Sequence, residues 1–527
     1  MTTARPSATS KSVALIALSL LFWIGLVVAI LGPWVRQIDL QDMAFSILAH
    51  INAGVWWIIL LWALHHLSYQ IVALFQKNNP QNITISRKHP TVAVLYLTCD
   101  DFNANCAASC LNQTYKPLQF YICDDSAQEK SRLEIDRFCA QYPKAILVRR
   151  ENRVGFKAGN INHAIRNINA EWILLVDADQ TLPENYLSDL ILHVPENAGS
   201  LAFIQAAHKT ADLPANSLFQ QALSSEVEFF YSRDLSARTK FGFVPLLGHG
   251  VLVNKTVLEA VGGIPELVSE DFAFAIRCLN KGYRGQYLEF VGSEEVYPFD
   301  FGGFLLRLRK FSGGTAELFR HELIHLLAGK GYFTEKWDML LMLIWYILMP
   351  LLVVNGFLGS FVVHRLWSGN ISYLHPALPY LYLWMFAASI SLIVSSTRSL
   401  SKAVRFYFWS TAIYTASLPL ASLSFLAGLL IKPIFKRTPK NAEDTKLHFV
   451  DSILMVLLGL LALFCSYIWL SPFSPILAGQ GVAYLCFPLY NYLNSNSAWG
   501  KFARLVVVIP GLLMIFALYA MWQWGRF

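Results

Sequence analysis

Long stretches without a charged residue occur near both ends of this chain and are absent from its middle. The first, Val13 to Val35, covers 23 residues. As a helix it would measure about 35 Å, which exceeds the roughly 30 Å hydrocarbon core of a bilayer. The sequence therefore predicts membrane helices on both sides of a more polar domain.

Composition agrees with this division. Of 527 residues, 55% are hydrophobic and 15% are charged, whereas an average soluble domain has about 25% charged residues. These values exclude a secreted protein, a disordered chain and a coiled coil. The formal net charge of +7 suits anionic lipid head groups or a phosphorylated substrate equally well. No nucleic-acid partner is predicted.

The first membrane region is predicted at residues 1–78, with two helices. Val13 to Val35 is long for a signal sequence and has no small-residue cleavage site, so we expect a retained anchor. The second helix covers roughly Phe45 to Leu64, and basic residues follow it at Lys77, Arg87 and Lys88. By the positive-inside rule, the N-terminus and the next domain lie in the cytoplasm, with the helices in the plasma (inner) membrane.

Residues 79–300 are predicted to form a cytosolic α/β domain. Short, continuously apolar runs recur there at roughly the spacing of βαβ units, as buried parallel strands do. The runs are Thr91 to Thr98, Leu118 to Cys123, Ala145 to Val148, Trp172 to Val176 and Leu201 to Ile204. Stretches such as Ala127 to Gln141 can hold the intervening helices. We predict a doubly wound, Rossmann-related, mostly parallel sheet, whose ligands bind beyond the carboxyl ends of the strands.

The chain then returns to the membrane. We expect interfacial amphipathic helices at 301–338, membrane helices with an interfacial segment at 339–431, a cytosolic loop at 432–449 and C-terminal membrane helices at 450–527. The uncharged runs are Met339 to Val363, Pro376 to Val394, Phe406 to Ile431, Val450 to Leu470, Phe473 to Leu493 and Phe502 to Trp524.

One of these runs must fail to cross, because the basic loops before and after Phe406 to Ile431 both favour the cytoplasm. Pro419 interrupts that run, so we predict that it is interfacial or re-entrant. The prediction is seven membrane spans, two before the cytosolic domain and five after it.

The eight cysteines form no CxxC pair and no zinc-type spacing with histidine. We interpret them as reduced structural thiols, in keeping with a cytosolic domain. They are Cys99, Cys106, Cys110, Cys123, Cys139, Cys278, Cys465 and Cys486.

Acidic residues follow two of the predicted strands. Asp124 and Asp125 end the second strand, and Asp177 and Asp179 end the fourth. Residues two apart in an extended segment face the same way, so the second pair can share a divalent cation, Mg²⁺ or Mn²⁺, that bridges to a diphosphate. A solvated turn is the alternative, because aspartate commonly begins turns.

A third acidic site, Ser269-Glu270-Asp271, begins a helical pattern. Helix capping alone favours these residue types. About twenty residues earlier, Gly248 and Gly250 flank His249, and glycines allow the backbone to approach a sugar closely. The ordered set of motifs carries more weight than any one of them.

In this order the motifs resemble those of the membrane-embedded, processive members of glycosyltransferase family 2, the cellulose, curdlan and hyaluronan synthases. The resemblance covers residues 90 to 320 and implies a GT-A-like fold. The matching pieces are Cys123-Asp124-Asp125-Ser126, Gly155-Phe156-Lys157-Ala158-Gly159-Asn160-Ile161-Asn162, Asp177-Ala178-Asp179, Gly248-His249-Gly250 and Ser269-Glu270-Asp271.

The resemblance implies roles for these positions. Nucleotide-sugar contacts fall at Thr98, Asp124, Asp125, Lys157, Asp177, Gly248 and His249. The metal falls on Asp177 and Asp179, and the catalytic residues are the base Asp271 and its neighbour Glu270.

The family's QxxRW motif is replaced here by Arg307-Leu308-Arg309-Lys310-Phe311. Lys310 keeps a cation for the leaving diphosphate and Phe311 keeps an aromatic face for a sugar, so we assign Arg307, Lys310 and Phe311 to diphosphate and acceptor binding. A basic helix that contacts lipid head groups is the alternative.

Farther along, the segment from Phe435 to Lys440 resembles the gating loop of cellulose synthase, with Phe435, Thr438 and Lys440 at the matching positions. Plain membrane-flanking basic residues are the alternative interpretation.

The resemblance implies an inverting enzyme that takes a UDP-sugar, extends a growing β-linked polysaccharide and passes it across the membrane, with accessory export proteins as possible partners. One rival is an enzyme of the same fold that glycosylates a polyprenyl-phosphate or other lipid once. Another is a transporter whose domain only binds nucleotide, but the sequence has no GxxxxGK[ST] loop and few charges within its predicted spans.

Overall fold

The structure is a computed structural model and describes residues 6–28, 42–75, 89–195, 198–211, 217–368, 399–433 and 447–524. One seven-stranded sheet forms the centre of the polar domain. Its strands are β1 Val92–Thr98, β2 Leu118–Asp124, β3 Ala145–Arg149, β4 Trp172–Asp177, β5 Leu201–Thr210, β6 Val251–Asn254 and β7 Arg284–Glu295. The strand order is β3-β2-β1-β4-β6-β5-β7.

Pairing in the sheet is mostly parallel, as predicted. The pairs β1–β2, β1–β4, β2–β3 and β5–β7 are parallel, whereas β6 runs antiparallel to both β4 and β5. The five predicted strands are confirmed. β6 and β7 were not predicted, because β6 has only four residues and β7 does not present a continuous apolar run.

The apolar strands are explained by burial on both faces. All seven residues of β1 are buried. Ala93, Leu95 and Leu97 pack into one hydrophobic cluster, and alternate residues such as Val94 and Tyr96 pack into another on the opposite face. This two-sided covering is what a mostly parallel sheet requires. All eight cysteines are free thiols.

Helices cover the sheet and extend from it. In chain order they are α1 Pro6–Leu26, α2 Met43–Phe75, α3 Ala104–Leu111, α4 Glu129–Gln141, α5 Phe156–Ile165, α6 Tyr186–Ile191, α7 Leu218–Leu223, α8 Ser225–Phe229, α9 Ser236–Phe241, α10 Lys255–Ala260, α11 Glu270–Lys281, α12 Phe301–Ala328, α13 Phe333–Ser368, α14 Leu400–Gly428, α15 Phe449–Ile468, α16 Ser474–Leu485, α17 Ala498–Val506 and α18 Ile509–Trp524. A π-helix, Phe230–Leu235, joins α8 to α9, and a 3₁₀-helix, Phe487–Tyr492, follows α16.

Among the described residues, five helical segments are long and apolar enough to cross a membrane, by length and composition alone. They are Met43–Tyr69, Phe333–Ser368, Leu400–Gly428, Phe449–Ile468 and Ala498–Gln523. A shorter apolar helix, Ser12–Leu26, represents the first predicted span. The predicted span Pro376 to Val394 lies outside the described residues.

Two predictions about the membrane region need correction. Phe473 to Leu493 is not one spanning helix, because α16 has only 12 residues, about 18 Å, and a 3₁₀-helix follows it. The predicted break at Pro419 is also wrong, since α14 continues through that residue. The interfacial placement of Phe406 to Ile431 rested also on the basic residues at both flanks and stays a prediction, although α14 is long and apolar enough to cross by length and composition.

A buried ionic network joins the polar domain to two of the membrane-candidate helices. The guanidinium of Arg238, which is fully buried, pairs with Asp338 on α13 and, at 3.2 Å, with Asp234 in the π-helix. His65 on α2 lies 2.9 Å from the same Asp338 carboxylate, which also accepts a 2.8 Å hydrogen bond from the backbone N–H of Phe243. The network fixes α2 and α13 against the domain.

We expect Arg238→Met to destabilise the protein by about 3–5 kcal/mol, because two buried carboxylates would lose their shared cation. The matched control is Arg365→Met, which removes a pair with Asp42 that is about half exposed on both sides and contributes only about 1 kcal/mol or less. Thermal unfolding of the detergent-solubilised protein measures both. Equal midpoints for the two variants would contradict this account.

Candidate active site

A cavity of about 670 Å³ lies at the carboxyl ends of β1 and β4, the edge predicted to bind ligands. Its volume is within the usual range for small-molecule sites, about 300–1,000 Å³. Most of the predicted site residues line it together. They are Thr98, Asp125, Lys157, Asp177, Asp179, Gly248, His249, Glu270, Asp271, Arg307, Lys310 and Phe311.

Lys157, in the first turn of α5, lies at the centre of the charged groups. Its Nζ is 2.7 Å from Asp177 Oδ1 and 4.0 Å from Glu270 Oε1, and it donates a 3.0 Å hydrogen bond to the carbonyl of Gly248. Burial by itself lowers the pKa of Lys157, but Asp177 and Glu270 outweigh burial and the net shift is upward. Lys157 is therefore a fixed cation.

Gly248 is required by this packing. Its φ is +82°, a conformation that favours glycine. A Cβ at this position would lie 3.3 Å from Asp271 Oδ2 and 3.4 Å from Lys157 Nζ. The glycine therefore allows the backbone to lie directly against both charged side chains.

Glu270 and Asp271 begin α11 and form an acidic pair, in which Glu270 is buried and Asp271 is partly buried. Burial raises the pKa of both carboxyls, and for Glu270 the charge of Asp271 raises it further. Lys157 opposes both shifts, and the backbone N–H of Phe272 donates to Asp271 Oδ1 at 2.8 Å. Ser269 makes no capping hydrogen bond with its side chain, so capping does not account for the motif.

The cavity contains donor groups that suit a divalent cation. Asp177 and Asp179, at the end of β4, supply carboxylates, which hard cations prefer. His208, His249 and Glu295 form a second group, with ligand atoms within 4.8 Å of one another; His249 and Glu295 line the cavity, and His208 is buried outside its lining. Burial first, and then His249, lowers the pKa of His208 to about 3, so its imidazole is neutral, as metal ligation requires.

His208 was missed by sequence reasoning. It lies within β5, and its signal is only a histidine that interrupts an apolar strand. A Cβ on Gly250, whose φ is +56°, would collide with the His208 ring. The second glycine of the Gly248-His249-Gly250 motif therefore makes room for this imidazole, which the spacing alone did not reveal.

Asp124 is not among the residues that line the cavity. Its side chain is buried and accepts a 2.6 Å bond from Arg149 and a 2.8 Å bond from the backbone N–H of Ser126. The structure therefore does not bring Asp124 to the cavity with the other site residues, and the nucleotide contact expected of it stays a prediction. Asp125 does line the cavity and is held by Arg150 through two bonds, at 2.7 and 2.6 Å.

The Arg307-to-Phe311 segment lies in α12, at the side of the cavity that faces the membrane helices. Arg307 pairs with Glu226 and lies over the ring of Tyr297, so its guanidinium is already engaged. Tyr414 on α14 donates a 2.5 Å hydrogen bond to the same Glu226. Glu226 was missed because its partners are distant in sequence.

The loop that carries the acidic pair is held by α12. Glu317, only 1% exposed, accepts a 2.8 Å hydrogen bond from the backbone N–H of Val268. A Cβ on Gly314 would approach Ser269 Oγ to 2.5 Å, so the helix packs directly on the loop. Neither residue was predicted, since only the folded contact gives them a role.

The predicted gating residues Phe435, Thr438 and Lys440 lie outside the described residues.

Together the fold and the cavity define a mostly parallel α/β domain with a charged ligand-binding site, attached to apolar helices. Residues 172–521 match the family model described as glycosyl transferase family group 2. The chain belongs to this family.

Curated relatives are distant. A cellulose synthase catalytic subunit (UDP-forming) from Xanthomonas axonopodis pv. citri is 25% identical over 43% of this chain and 30% of the relative. Glucomannan 4-beta-mannosyltransferase 1 from Oryza sativa is 27% identical over 40% of this chain and 42% of the relative. The chain thus spans less than half the length of these relatives.

Among solved structures, a mannosyltransferase from Pyrobaculum calidifontis in complex with GDP-Man and Mn²⁺ is similar, at 16% identity and a TM-score of 0.47, over 73% of this chain and 98% of that one.

We expect Glu317→Ala to lower kcat for nucleotide release about tenfold with little change in donor KM, because the loop before Asp271 loses its buried anchor. Glu317→Gln keeps an acceptor for the Val268 N–H and should recover most of the rate. The measurement is steady-state kinetics of both variants. A proportional rise in KM, or no recovery with glutamine, would argue against a positioning role.

Proposed function

We propose that this protein is an inverting polysaccharide synthase that transfers sugar units from a UDP-sugar to a growing β-linked glycan. One observation carries the proposal: the acid Asp271 and the cation Lys157 lie in a cavity that also reaches residues of two membrane-candidate helices, such as Trp62 and Trp345. The proposed catalytic residues and residues of the membrane-candidate helices therefore line the same cavity.

We assign the end of the cavity near the carboxyl ends of β1 and β2 to the diphosphate of the nucleotide-sugar. Thr98 and Asp125 lie there at the ends of β1 and β2, and Lys157 supplies positive charge for phosphate oxygens. The choice of uridine is supported by the UDP-forming relative.

Asp271 is the proposed base. Its carboxylate accepts the proton of an acceptor hydroxyl as that oxygen attacks the anomeric carbon. Attack comes from the face opposite the nucleotide, so the bond to the diphosphate breaks as the new glycosidic bond forms, and configuration inverts. Lys157 and Lys310 lie along the cavity to stabilise the negative charge of the departing diphosphate.

The donor groups of the site fit a divalent cation, Mg²⁺ or Mn²⁺. Asp177 and Asp179 would hold it, and His249 with Glu295 lies in the same cavity. When bound, such a cation neutralises charge on the diphosphate and makes it a better leaving group. Lys157, at 2.7 Å from Asp177, orients that carboxylate for the role.

Polymer synthesis is preferred to single addition because the cavity extends past the acidic pair to aromatic residues of the membrane helices. We place the catalytic domain in the cytoplasm and the helices in the plasma membrane, with the glycan leaving through the bilayer. Phe435, Thr438 and Lys440 are the proposed gate.

The test is to incubate the purified protein in nanodiscs with a set of UDP-sugars and Mg²⁺ or Mn²⁺, and to measure UDP release and product size. We expect one donor to give a growing polymer that a glycosidase digests. Asp271→Asn should reduce UDP release at least a hundredfold, the usual worth of a general base. A product that is only a lipid-linked monosaccharide would replace this proposal with single addition.

The acidic pair predicts the pH dependence. Asp271 must be ionised to act as a base, and its pKa is raised, so activity should fall with decreasing pH well before an ordinary aspartate protonates. Lys157→Met removes the cation that lowers the pKa of Asp271. The acidic limb of the kcat/KM profile should therefore move to higher pH in this variant. A limb that does not move, or moves to lower pH, would show that another group titrates.

A further inference from the structure

Asn162 lies on α5, in the same helix as Lys157, but it does not line the cavity. Its side-chain amide pairs with one residue of the loop 261–269, which joins α10 to α11. Asn162 Nδ2 donates a 2.8 Å hydrogen bond to the carbonyl of Ile264, and the backbone N–H of Ile264 donates to Asn162 Oδ1 at 2.9 Å. One side chain thus satisfies both backbone groups of a residue 102 positions away in the chain.

The two glycines before Ile264 show how closely the loop approaches Asn162. Gly262 and Gly263 have nearly the same backbone conformation, with φ of +89° and +86°. A Cβ on Gly263 would lie 2.8 Å from Asn162 Oδ1, whereas a Cβ on Gly262 would meet nothing within 4 Å. The positive φ favours glycine at both positions, but only Gly263 is also required by the contact with Asn162.

Further contacts hold the same loop from two sides. Gly155, the N-cap of α5, packs against Glu266, since a Cβ on this glycine would lie 2.5 Å from Glu266 Cδ. On the other side, the backbone N–H of Val268 donates to Glu317 on α12 at 2.8 Å. The loop is therefore fixed between α5 and α12 immediately before the acidic pair that begins α11.

We propose that Asn162 is a positioning residue that holds the base Asp271 in place relative to the cation Lys157. The inference rests on the proposed function, which assigns Asp271 as the base. Lys157 and Asn162 belong to one helix, so the two bonds to Ile264 fix the loop, and with it the start of α11, against the helix that carries the cation. Without such bonds a loop is more mobile than the elements it connects.

This role predicts a particular kinetic effect. Asn162, Gly263 and Ile264 do not line the cavity, so loss of their contact leaves the donor's own contacts in place. A shift of about 1 Å in a catalytic group can reduce the rate about a hundredfold. The rate of transfer should therefore fall while donor binding stays the same.

The first test is steady-state UDP release by the full-length protein in nanodiscs, with UDP affinity measured by calorimetry to report an intact site. We expect Asn162→Ala to lower kcat about tenfold, with donor KM and UDP affinity within about twofold of the wild type. Asn162→Asp keeps an acceptor for the Ile264 N–H and should lose less of the rate than Asn162→Ala. A rise in donor KM in proportion to the loss of rate would contradict the positioning role.

The neighbouring glycines provide a matched pair of variants. Gly262→Ala and Gly263→Ala place the same side chain on nearly the same backbone conformation, but only Gly263→Ala disturbs Asn162. We expect Gly263→Ala to lower kcat about tenfold and Gly262→Ala to change it less than about twofold. The double variant Asn162→Ala with Gly263→Ala should be no slower than the slower single variant, because both changes break one contact.

The outcomes separate this inference from the proposed function. Equal kcat values for Gly262→Ala and Gly263→Ala, or losses that multiply to about a hundredfold in the double variant, would overturn the positioning role alone if Asp271→Asn still suppresses UDP release. Undiminished UDP release by Asp271→Asn would show that Asp271 is not the base, and would overturn the proposed mechanism together with this inference.

Discussion

The site depends on one lysine among several carboxylates. Lys157 contacts Asp177 and approaches Glu270, and its charge opposes the raised pKa values of Glu270 and Asp271. Without that cation, three acidic groups from β4 and α11 would lie close together in a partly buried space, where like charges repel strongly. In the proposed function the same cation serves a diphosphate, so one interaction both holds the site together and prepares it for a ligand.

The second constraint is the attachment of the catalytic domain to apolar helices. α12 packs on the acidic loop through Glu317 and Gly314, and the Arg238 network ties α2 and α13 to the π-helix. The cavity is therefore built jointly by the sheet and by helices suited to a membrane. In a soluble transferase of similar fold, the acceptor side would have to be formed by other elements.

Sequence patterns predicted the secondary structure correctly where the hydrophobic periodicity and the local residue types determine it. Continuous apolar runs located β1 to β5 because strands buried on both faces leave no room for polar residues. The same reasoning failed for Phe473 to Leu493, where an apolar run folds as a short helix and a 3₁₀-helix, and for Pro419, which α14 accommodates. Hydropathy reports preference for an apolar environment and contains no information about where a helix ends inside it.

The sequence by itself determined the sheet's first five strands, the family and a set of site residues most of which line the cavity, because the ordered motifs fall at strand ends and helix starts whose positions are local properties. Only the tertiary structure decided that Asp124 lies outside the cavity lining, bonded to Arg149, while Glu226, Glu317 and Asp234 take part in or support the site. Their partners are many residues away in the chain, as in the pairs of Glu226 with Arg307 and of Val268 with Glu317. Burial and pairing arise from packing between distant segments, and a pattern of residue types along one chain cannot specify them.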